Sequence, residues 1–404
     1  MSTEKFFKKR TDWARRKHLI LTYYLDPAIK KLRYASPDRR VFILDGFAGR
    51  GRYEEGSQGS PIYTGELAEK CREGINPLNL FVRNTEPDEG HFEELERSTE
   101  SWVRQGYVKN LNGTFQMTLP QVLADAGNSP LFAFLDPFKP TQLKFNDFLP
   151  LLHRQAKTEA CAVFFTRMVQ RNLQALRSSK SDPKFRESLS ETMTQVFGGE
   201  GWKDLVADNA LGYESILNLL AQQVMSHARI GYSGEPGFVV YKPIYAARNG
   251  HMKYHIVFWT RHLDGLVLMN DAFVKEAGDL DEITEKQIAL ATEQKLAGQG
   301  LLDFNDPDEP SKKDIEAAEQ FKSLCETYLE IGRAMPSRTW TRSTLIEQAI
   351  QHRFGQFNKT KHRRAIEWLV DKPVAPKIVP INSKQNKSGK WALNDETTMR
   401  FEYS

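Results

Sequence analysis

The stretch VFILDGFAGRGRYEEG, residues 41–56, decides the fold. It begins as an apolar run typical of a buried strand and ends in a turn that contains Gly46, Gly49 and Gly51. Glycines let the backbone adopt positive φ and pass close to a ligand, and Asp45 at the strand end suits a ligand that carries hydroxyls and a positive charge. The order D-G-F-A-G-R-G differs from the G-x-G-x-x-G of a dinucleotide site. We therefore expect S-adenosylmethionine as the cofactor, with a plain strand-to-helix turn as the alternative.

Similar apolar runs recur along the first 300 residues, separated by amphipathic stretches of helical spacing. This alternation predicts βαβ units around a parallel sheet, which is an α/β, Rossmann-like fold. The predicted strands are VFILDGF (41–47), LNLFVRN (78–84), LFAFLDP (131–137) and ACAVFFT (160–166).

A largely helical insertion is expected over about 169–229, before two more strands at 238–247 and 252–260. The Asn249-Gly250 pair between these strands is a hairpin signal. A parallel sheet that ends in an antiparallel pair is characteristic of the class I methyltransferase variant of the fold, and we predict that sheet for residues 1–300 by analogy.

A second, smaller domain is predicted for residues 315–404, after a polar, acidic linker at 301–314. The pattern indicates three helices and then two short strands, which is the order of a winged helix. The helices are expected at 315–331, 341–352 and 359–371, and the strands at APKIVPI (375–381) and GKWAL (389–393).

Basic residues crowd two regions, the first turns from Lys5 to Lys17 and the stretch from Arg338 to Lys390, although the net charge is only +4 and the pI about 8.7. The third helix of the small domain and the turn after it match a recognition helix with a phosphate-touching wing. A solvated face or a protein-binding winged helix is the alternative. The residues expected to contact nucleic acid are Lys359, Lys361, Arg363, Arg364 and Lys387.

Composition excludes several classes of protein. In 404 residues no apolar run approaches the roughly 20 needed to cross a membrane, and the N-terminus lacks the apolar core of a signal peptide, so the cytoplasm is expected. Three widely separated cysteines predict neither a disulfide framework nor a CxxC metal site. His251, His255 and His262 lack accompanying carboxylates or cysteines, so we expect structural roles for them and no metal.

Three further strand ends carry candidate site residues. Glu86 ends the second strand, where a carboxylate can accept both ribose hydroxyls of a nucleoside. Asn112-Gly113 closes a candidate third strand between LNLFVRN and LFAFLDP, where a polar side chain and backbone amides can contact an adenine edge; a simple Asn-Gly turn is the alternative. Asp136-Pro137-Phe138 ends the fourth strand. There, Asp136 and the Pro137 carbonyl could hold the hydrogens of an exocyclic amine while Phe138 stacks on its base.

Taken in order, these motifs resemble the three-Cys-motif partner proteins. The resemblance rests on WARRKH (13–18), DGFAGRGRY (45–53), Gly59-Ser60-Pro61, the Glu86 region, LDPF (135–138) and YHIVFWTRH (254–262). The same landmarks are similar to the large-subunit ribosomal RNA adenine methyltransferases. The resemblance implies a catalytic Asp136 and a cofactor site lined by Lys17, His18, Phe47, Ser60, Glu86, Asn112 and Gly113.

The sequence departs from the ribosomal RNA methyltransferase pattern at three places. Phe47 replaces a histidine, Asn112 replaces an aspartate, and Phe138-Lys139 replaces a Pro-Tyr pair. Two hypotheses follow. The chain is an enzyme that methylates an exocyclic amino group of a base in DNA or RNA, or it is a binding or partner protein of the three-Cys-motif type that retains the fold and acts through a protein complex or in a defence or toxin function. A Lys139 side chain that blocks the pocket favours the second.

Overall fold

The computed structural model describes the chain except residues 1–10, 37, 74–76, 179–181, 231, 233, 235–236, 247–250, 297–311, 373, 387 and 404. The chain divides into two compact units, Met1–Leu266 and Val267–Ser404. Several features predicted from the sequence lie outside the described residues. They are the basic residues at 5–10, the Asn249-Gly250 turn, linker residues 301–311 and Lys387.

The first unit is built on a seven-stranded sheet. Its strands are β1 (Arg40–Asp45), β2 (Asn79–Glu86), β3 (Val108–Asn112), β4 (Leu131–Leu135), β5 (Thr158–Phe164), β6 (Phe238–Tyr245) and β7 (Met252–Thr260). Their order across the sheet is β3-β2-β1-β4-β5-β7-β6. Strands β1 to β5 pair in parallel, and β7 runs antiparallel to both β5 and β6. The predicted Rossmann-like sheet with an antiparallel end is confirmed.

Helices follow most of the parallel strands and cover the sheet. They are α1 (Asp12–Leu32), α2 (Ser60–Arg72), α3 (Glu89–Arg104), α4 (Phe115–Ala126) and α5 (Phe145–Leu152). Local sequence fixes where they begin. Asp88 caps α3 by accepting a hydrogen bond from the His91 amide at 2.9 Å, and Thr114 caps α4 by accepting one from Met117 at 3.4 Å. Each cap follows a strand directly, so the strand ends are held in defined turns.

The helical insertion is also confirmed. It comprises α6 (Thr166–Arg177), α7 (Pro183–Phe197), α8 (Trp202–Ala207) and α9 (Tyr213–Ala228). Its buried side chains join those of the sheet in one cluster, in which Val169, Phe197 and Val224 accompany Phe42 and Trp259. Burying a side chain of this size contributes about 2–3 kcal/mol, so the insertion belongs to the core of the first unit. A long helix, α10 (Leu263–Leu296), follows β7.

The second unit contains helices and a three-stranded sheet of order β8-β10-β9. Its other elements are α11 (Lys312–Ala334), β8 (Thr339–Thr341), α12 (Arg342–His352), α13 (Lys359–Asp371), β9 (Lys377–Pro380) and β10 (Thr398–Glu402). The three predicted helices are therefore present, and β8 is an additional strand. Among the described residues, no helix has the length and apolar character needed to cross a membrane.

One strand prediction for the second unit is wrong. GKWAL (389–393) is not a strand, and its Trp391 makes only an isolated bridge with Gln385. The partner of β9 is β10, which buries Met399 and Phe401 on one face. Period-two burial decides the pairing, because a strand must present an apolar face to the helices beneath it.

Candidate active site

The turn after β1 requires glycine at several positions. Gly49 and Gly51 have φ of 62° and 80°, in the left-handed region that favours glycine. A Cβ on Gly51 would lie 2.4 Å from Ser98 Oγ, and one on Gly59 would lie 2.6 Å from the Gly51 carbonyl oxygen. The Gly59 amide donates to that same carbonyl at 2.8 Å. The loop is therefore closed on itself.

Asp45 ends β1 beneath this loop and is 1% exposed. Its Oδ1 accepts a hydrogen bond from the Phe47 amide at 3.2 Å. Burial raises the pKa of Asp45 to about 6; hydrogen bonds from Ser60 and Phe47 oppose the shift, and the charges of Asp136 and Glu86 add to it. A buried carboxylate with nearby carboxylates makes this end of the sheet favourable for a cationic ligand.

Glu86 ends β2 and is bound to the glycine turn. Its Oε2 accepts from the Gly49 amide and its Oε1 from the Asp88 amide, each at 2.9 Å. Burial is the main cause that raises its pKa. An ionised carboxylate has about four acceptor positions, and these two amides use two of them. Glu86 is 2% exposed, so in this structure it anchors the turn from within.

The end of β3 lies beside Glu86. Asn112 is opposite Glu86 in the β2–β3 ladder, and its side chain is exposed. The Gly113 amide donates to the Glu86 carbonyl at 3.1 Å. The rings of Phe47 and Phe115 stack with centroids 6.1 Å apart, so the glycine turn and the start of α4 are joined by an aromatic contact.

Asp136 follows β4 and forms an ion pair with Lys17 of α1 through its Oδ2. The Lys17 side chain is 7% exposed and that of Asp136 22%. The Lys17 ammonium also lies 5.3 Å from the centroid of the Tyr254 ring on β7. Residues that follow β4 and lie on β7 therefore both contact Lys17 of α1.

An open pocket lies between the glycine turn and the end of β4. Six residues predicted for the site line it: Phe47, Gly49, Gly51, Ser60, Asp136 and Phe138. We call this the glycine-turn pocket.

The other predicted residues stand around the glycine-turn pocket or apart from it. Asp45 and Glu86 lie behind its loop, to which they are hydrogen-bonded. The His18 ring packs edge-on against Tyr63, with centroids 5.6 Å apart. Pro137 lines a different cavity. The backbone at the glycine turn and the strand-end carboxylates fit a ligand with hydroxyls and a positive charge, as S-adenosylmethionine has.

Sequence reasoning missed six residues of this site, among them Ala48 and Gly59, which also line the pocket. Arg52 and Tyr53 line the pocket and follow the glycine turn directly, which was a signal of their position. Ser98 limits the space at Gly51 from α3, and Tyr254 contacts Lys17 from β7. No local pattern marks the last two, because their contacts are made across distant segments.

The predicted nucleic-acid residues on α13 fall into two classes. Lys359 and Arg363 form ion pairs with Asp395 at 3.0 and 2.6 Å. Burial of Asp395 acts to raise its pKa. The hydrogen bonds from Arg363 and Lys359 outweigh this effect and lower the pKa to about 2. Lys361 and Arg364 are exposed and make no ion pair in the described part of the chain. Only these two match the expectation of a free basic face.

Two of the three histidines considered as possible metal ligands make hydrogen bonds to neighbouring protein groups instead. His255 is buried, with its Nδ1 2.7 Å from Thr166 Oγ1, and burial lowers its pKa to about 4. The amide of Asp264 donates to His262 Nδ1 at 3.1 Å. In the described ranges no three His, Cys, Asp or Glu side chains are grouped so that they could hold a metal ion.

No family model and no curated protein matches the chain. Solved structures do resemble it. Fibrillarin pre-rRNA processing protein from Methanococcus jannaschii is 12% identical with a TM-score of 0.27, over 55% of this chain and 67% of that one. Cofactor-bound Rv0187 from MTB is 16% identical with a TM-score of 0.31, over 61% and 80%. A protein described as a putative rRNA methylase from Clostridium thermocellum is 9% identical with a TM-score of 0.29, over 59% of this chain and 97% of that one. At this similarity, function has to be argued from the site.

Proposed function

We propose that this protein is an S-adenosylmethionine-dependent methyltransferase that modifies an exocyclic amino group of a base in nucleic acid. One observation carries the proposal. The glycine turn after β1 and the Asp136-Phe138 segment after β4 line the same pocket, with Glu86 bonded to the turn from β2. In open α/β sheets, ligands bind at the carboxyl ends of strands where the strand order reverses, and β1 and β4 are neighbours at that point.

The residues have distinct roles in this proposal. The cofactor, when bound, supplies a methyl group on a positively charged sulfur. Glu86 accepts the ribose hydroxyls, and the backbone at Gly49 and Gly51 lets the ligand approach closely. Lys17 holds Oδ2 of Asp136, so Oδ1 is left to accept a hydrogen of the amine. The Pro137 carbonyl accepts the second hydrogen, and Phe138 stacks on the base, which orients the nitrogen lone pair.

The second unit supports a nucleic-acid substrate in this proposal. Its elements run helix, β8, two helices, β9 and β10, and the three strands form one antiparallel sheet, which supports the winged-helix prediction. Lys361 and Arg364 are three residues apart on α13, so they share one helix face, where each can contact a phosphate.

The alternative function is a binding role in a complex, as the resemblance to the three-Cys-motif partner proteins implies. That alternative gains support if Lys139 obstructs the pocket. The Lys139 side chain is exposed and is not among the residues that line the glycine-turn pocket. This position favours the enzyme, and membership of the partner family is compatible with it.

The proposal is tested by separating cofactor binding from turnover. Calorimetry with S-adenosylmethionine and its demethylated product measures the first, and transfer of a labelled methyl group to DNA and RNA measures the second. Asp136→Asn should bind the cofactor within a few-fold of wild type but lose about 10²–10⁴ in turnover, since its contact is made chiefly in the transition state. Absence of cofactor binding in wild type rejects a methyltransferase, and full turnover in Asp136→Asn rejects amino-group transfer at this site.

A further inference from the structure

A second cavity lies in the first unit on the other side of the Asp136-Phe138 segment. We call it the apolar cavity. Ala162 and Phe164 of β5 and Val257 of β7 form the sheet side, while Phe148 of α5 and Val224 of α9 form the helical side. The helical insertion therefore encloses it.

The wall of this cavity is almost wholly apolar. Of the side chains that line it, Lys144 alone is charged, and all the others are aliphatic, aromatic or proline. A nucleobase placed there would leave the donors and acceptors of its edge unpaired, and an unpaired buried polar group costs about 1–3 kcal/mol. An aliphatic or aromatic body leaves no such group. The wall thus selects against the base that the proposed function assigns to the other pocket.

Lys144 gives the cavity a charge at its opening. The residue is exposed and directly precedes α5, so the charged residue of this lining is in contact with solvent. The nearby Asp147 carboxylate accepts the Lys144 amide at 2.9 Å and the Gln116 side-chain amide at 2.7 Å. Among the described residues the Lys144 ammonium makes no ion pair. It is therefore available to an anionic group on a ligand.

We propose that the apolar cavity binds an amphipathic anion, with its acid group at Lys144 and its aliphatic or aromatic body inside. The site goes beyond the proposed function, and it does not depend on which acceptor is methylated. The two pockets are nevertheless neighbours through one segment. Pro137 lines the apolar cavity, whereas Asp136 and Phe138 line the glycine-turn pocket.

The test is calorimetric binding of hexanoate, octanoate and decanoate to the full chain, without cofactor or nucleic acid. Affinity should rise about tenfold for each added pair of methylenes as they enter the cavity. Octylammonium, which has the same body and the opposite charge, should bind more weakly than octanoate. Absence of binding, no dependence on chain length, or equal binding of octylammonium overturns the proposal. Because the cofactor is omitted, failure here is distinct from failure of the methyltransferase assignment.

Two variants locate the binding. Ala162→Leu fills the cavity from β5 and should reduce octanoate affinity at least tenfold. Lys144→Ala changes an exposed side chain, so the fold is unaffected, and it should reduce affinity about two- to fivefold, as expected for a solvent-exposed charge pair. Lys157→Ala, an exposed lysine that does not line the cavity, is the matched control and should change nothing. Thermal unfolding checks that each variant is folded. Unchanged binding in folded Ala162→Leu, or in Lys144→Ala, contradicts the site.

Discussion

Lys17 and Asp136, 119 residues apart in the sequence, form a mostly buried ion pair at the carboxyl end of the central sheet. The pair joins a residue expected at the cofactor to the residue expected to catalyse. A lysine in that position fixes the direction of the carboxylate, and the Tyr254 ring fixes the lysine.

The pair should be energetically coupled. In a double-mutant cycle of Lys17→Met and Asp136→Asn, we expect an interaction energy of about 1–3 kcal/mol in urea unfolding, because either single change leaves a poorly solvated charge without its partner. The cycle of the exposed pair Lys30 and Asp26, whose side chains are 59% and 35% exposed, is the control and should give about 0.5 kcal/mol or less. Equal coupling in the two cycles contradicts a buried role for Lys17.

Asp45 should make stability depend on pH. Its folded pKa of about 6 lies above the ordinary value of 3.8, so the folded state holds the proton more tightly. The stabilisation is complete below about pH 4 and is lost as the pH rises through 6. Asp45→Asn should therefore gain about 2–3 kcal/mol relative to wild type between pH 4 and 7.5, measured by urea unfolding without cofactor. A difference that does not change with pH contradicts this reasoning.

Gly51 should tolerate alanine worse than Gly56 does. Both have positive φ, 80° and 84°, but only at Gly51 would a Cβ collide, with Ser98 Oγ at 2.4 Å. Gly56→Ala should cost about 1 kcal/mol from its backbone alone. Gly51→Ala should cost about 2–4 kcal/mol and also weaken cofactor binding, as measured by thermal unfolding and calorimetry. Equal costs would show that Ser98 moves aside freely.

Glu86 should separate anchoring from ligand contact. Glu86→Ala removes the acceptors of the Gly49 and Asp88 amides, so it should lower both stability and cofactor affinity, the latter by about 1–3 kcal/mol. Glu86→Gln keeps one carbonyl acceptor, so it should lose less stability than Glu86→Ala. Its loss of cofactor affinity should be nearly as large as that of Glu86→Ala. Cofactor binding that is unchanged in both variants removes Glu86 from the ribose site.

The two classes of basic residue on α13 should behave differently. The variant Lys361→Ala with Arg364→Ala should weaken binding to all nucleic-acid sequences alike and flatten the salt dependence by about two units of slope. Arg363→Ala should mainly lower stability, because it removes a partner of Asp395. Salt titrations of DNA and RNA binding measure both. A salt dependence that stays the same when Lys361 and Arg364 are replaced points to a protein partner for this unit.

Local patterns were sufficient for most of the first unit. Strand β1 was predictable because a strand buried on both faces is a continuous apolar run, and Asp45 marks where it ends. The same reasoning placed Glu86 and Asp136 at strand ends. Tyr254 was not predictable as a site residue, since its contact with Lys17 depends on how β7 enters the sheet and not on nearby sequence.

The second unit shows why local patterns were insufficient elsewhere. GKWAL and TMRFE (398–402) both place apolar residues two apart, and only the packing of Met399 and Phe401 decides between them. The charge of α13 was predictable, but its neutralisation by Asp395 was not, because that contact crosses 32 to 36 residues of sequence. Two of the four basic residues expected to contact nucleic acid from α13 are therefore paired with Asp395, and only the other two remain as free charges on this helix in the part of the chain that the structure describes.

The position of β7 between β5 and β6 has a consequence for synthesis of the chain. Strand β5 ends at Phe164, and the strand that pairs with it ends at Thr260. At the usual speed of translation, about 5–20 residues per second, the edge of β5 waits roughly 5–20 s for its partner. An unpaired strand edge is a template for aggregation. During that interval the nascent protein is exposed to misassembly and to chaperones. A chain whose synthesis stops within the insertion lacks β7, so the edge of β5 stays unpaired.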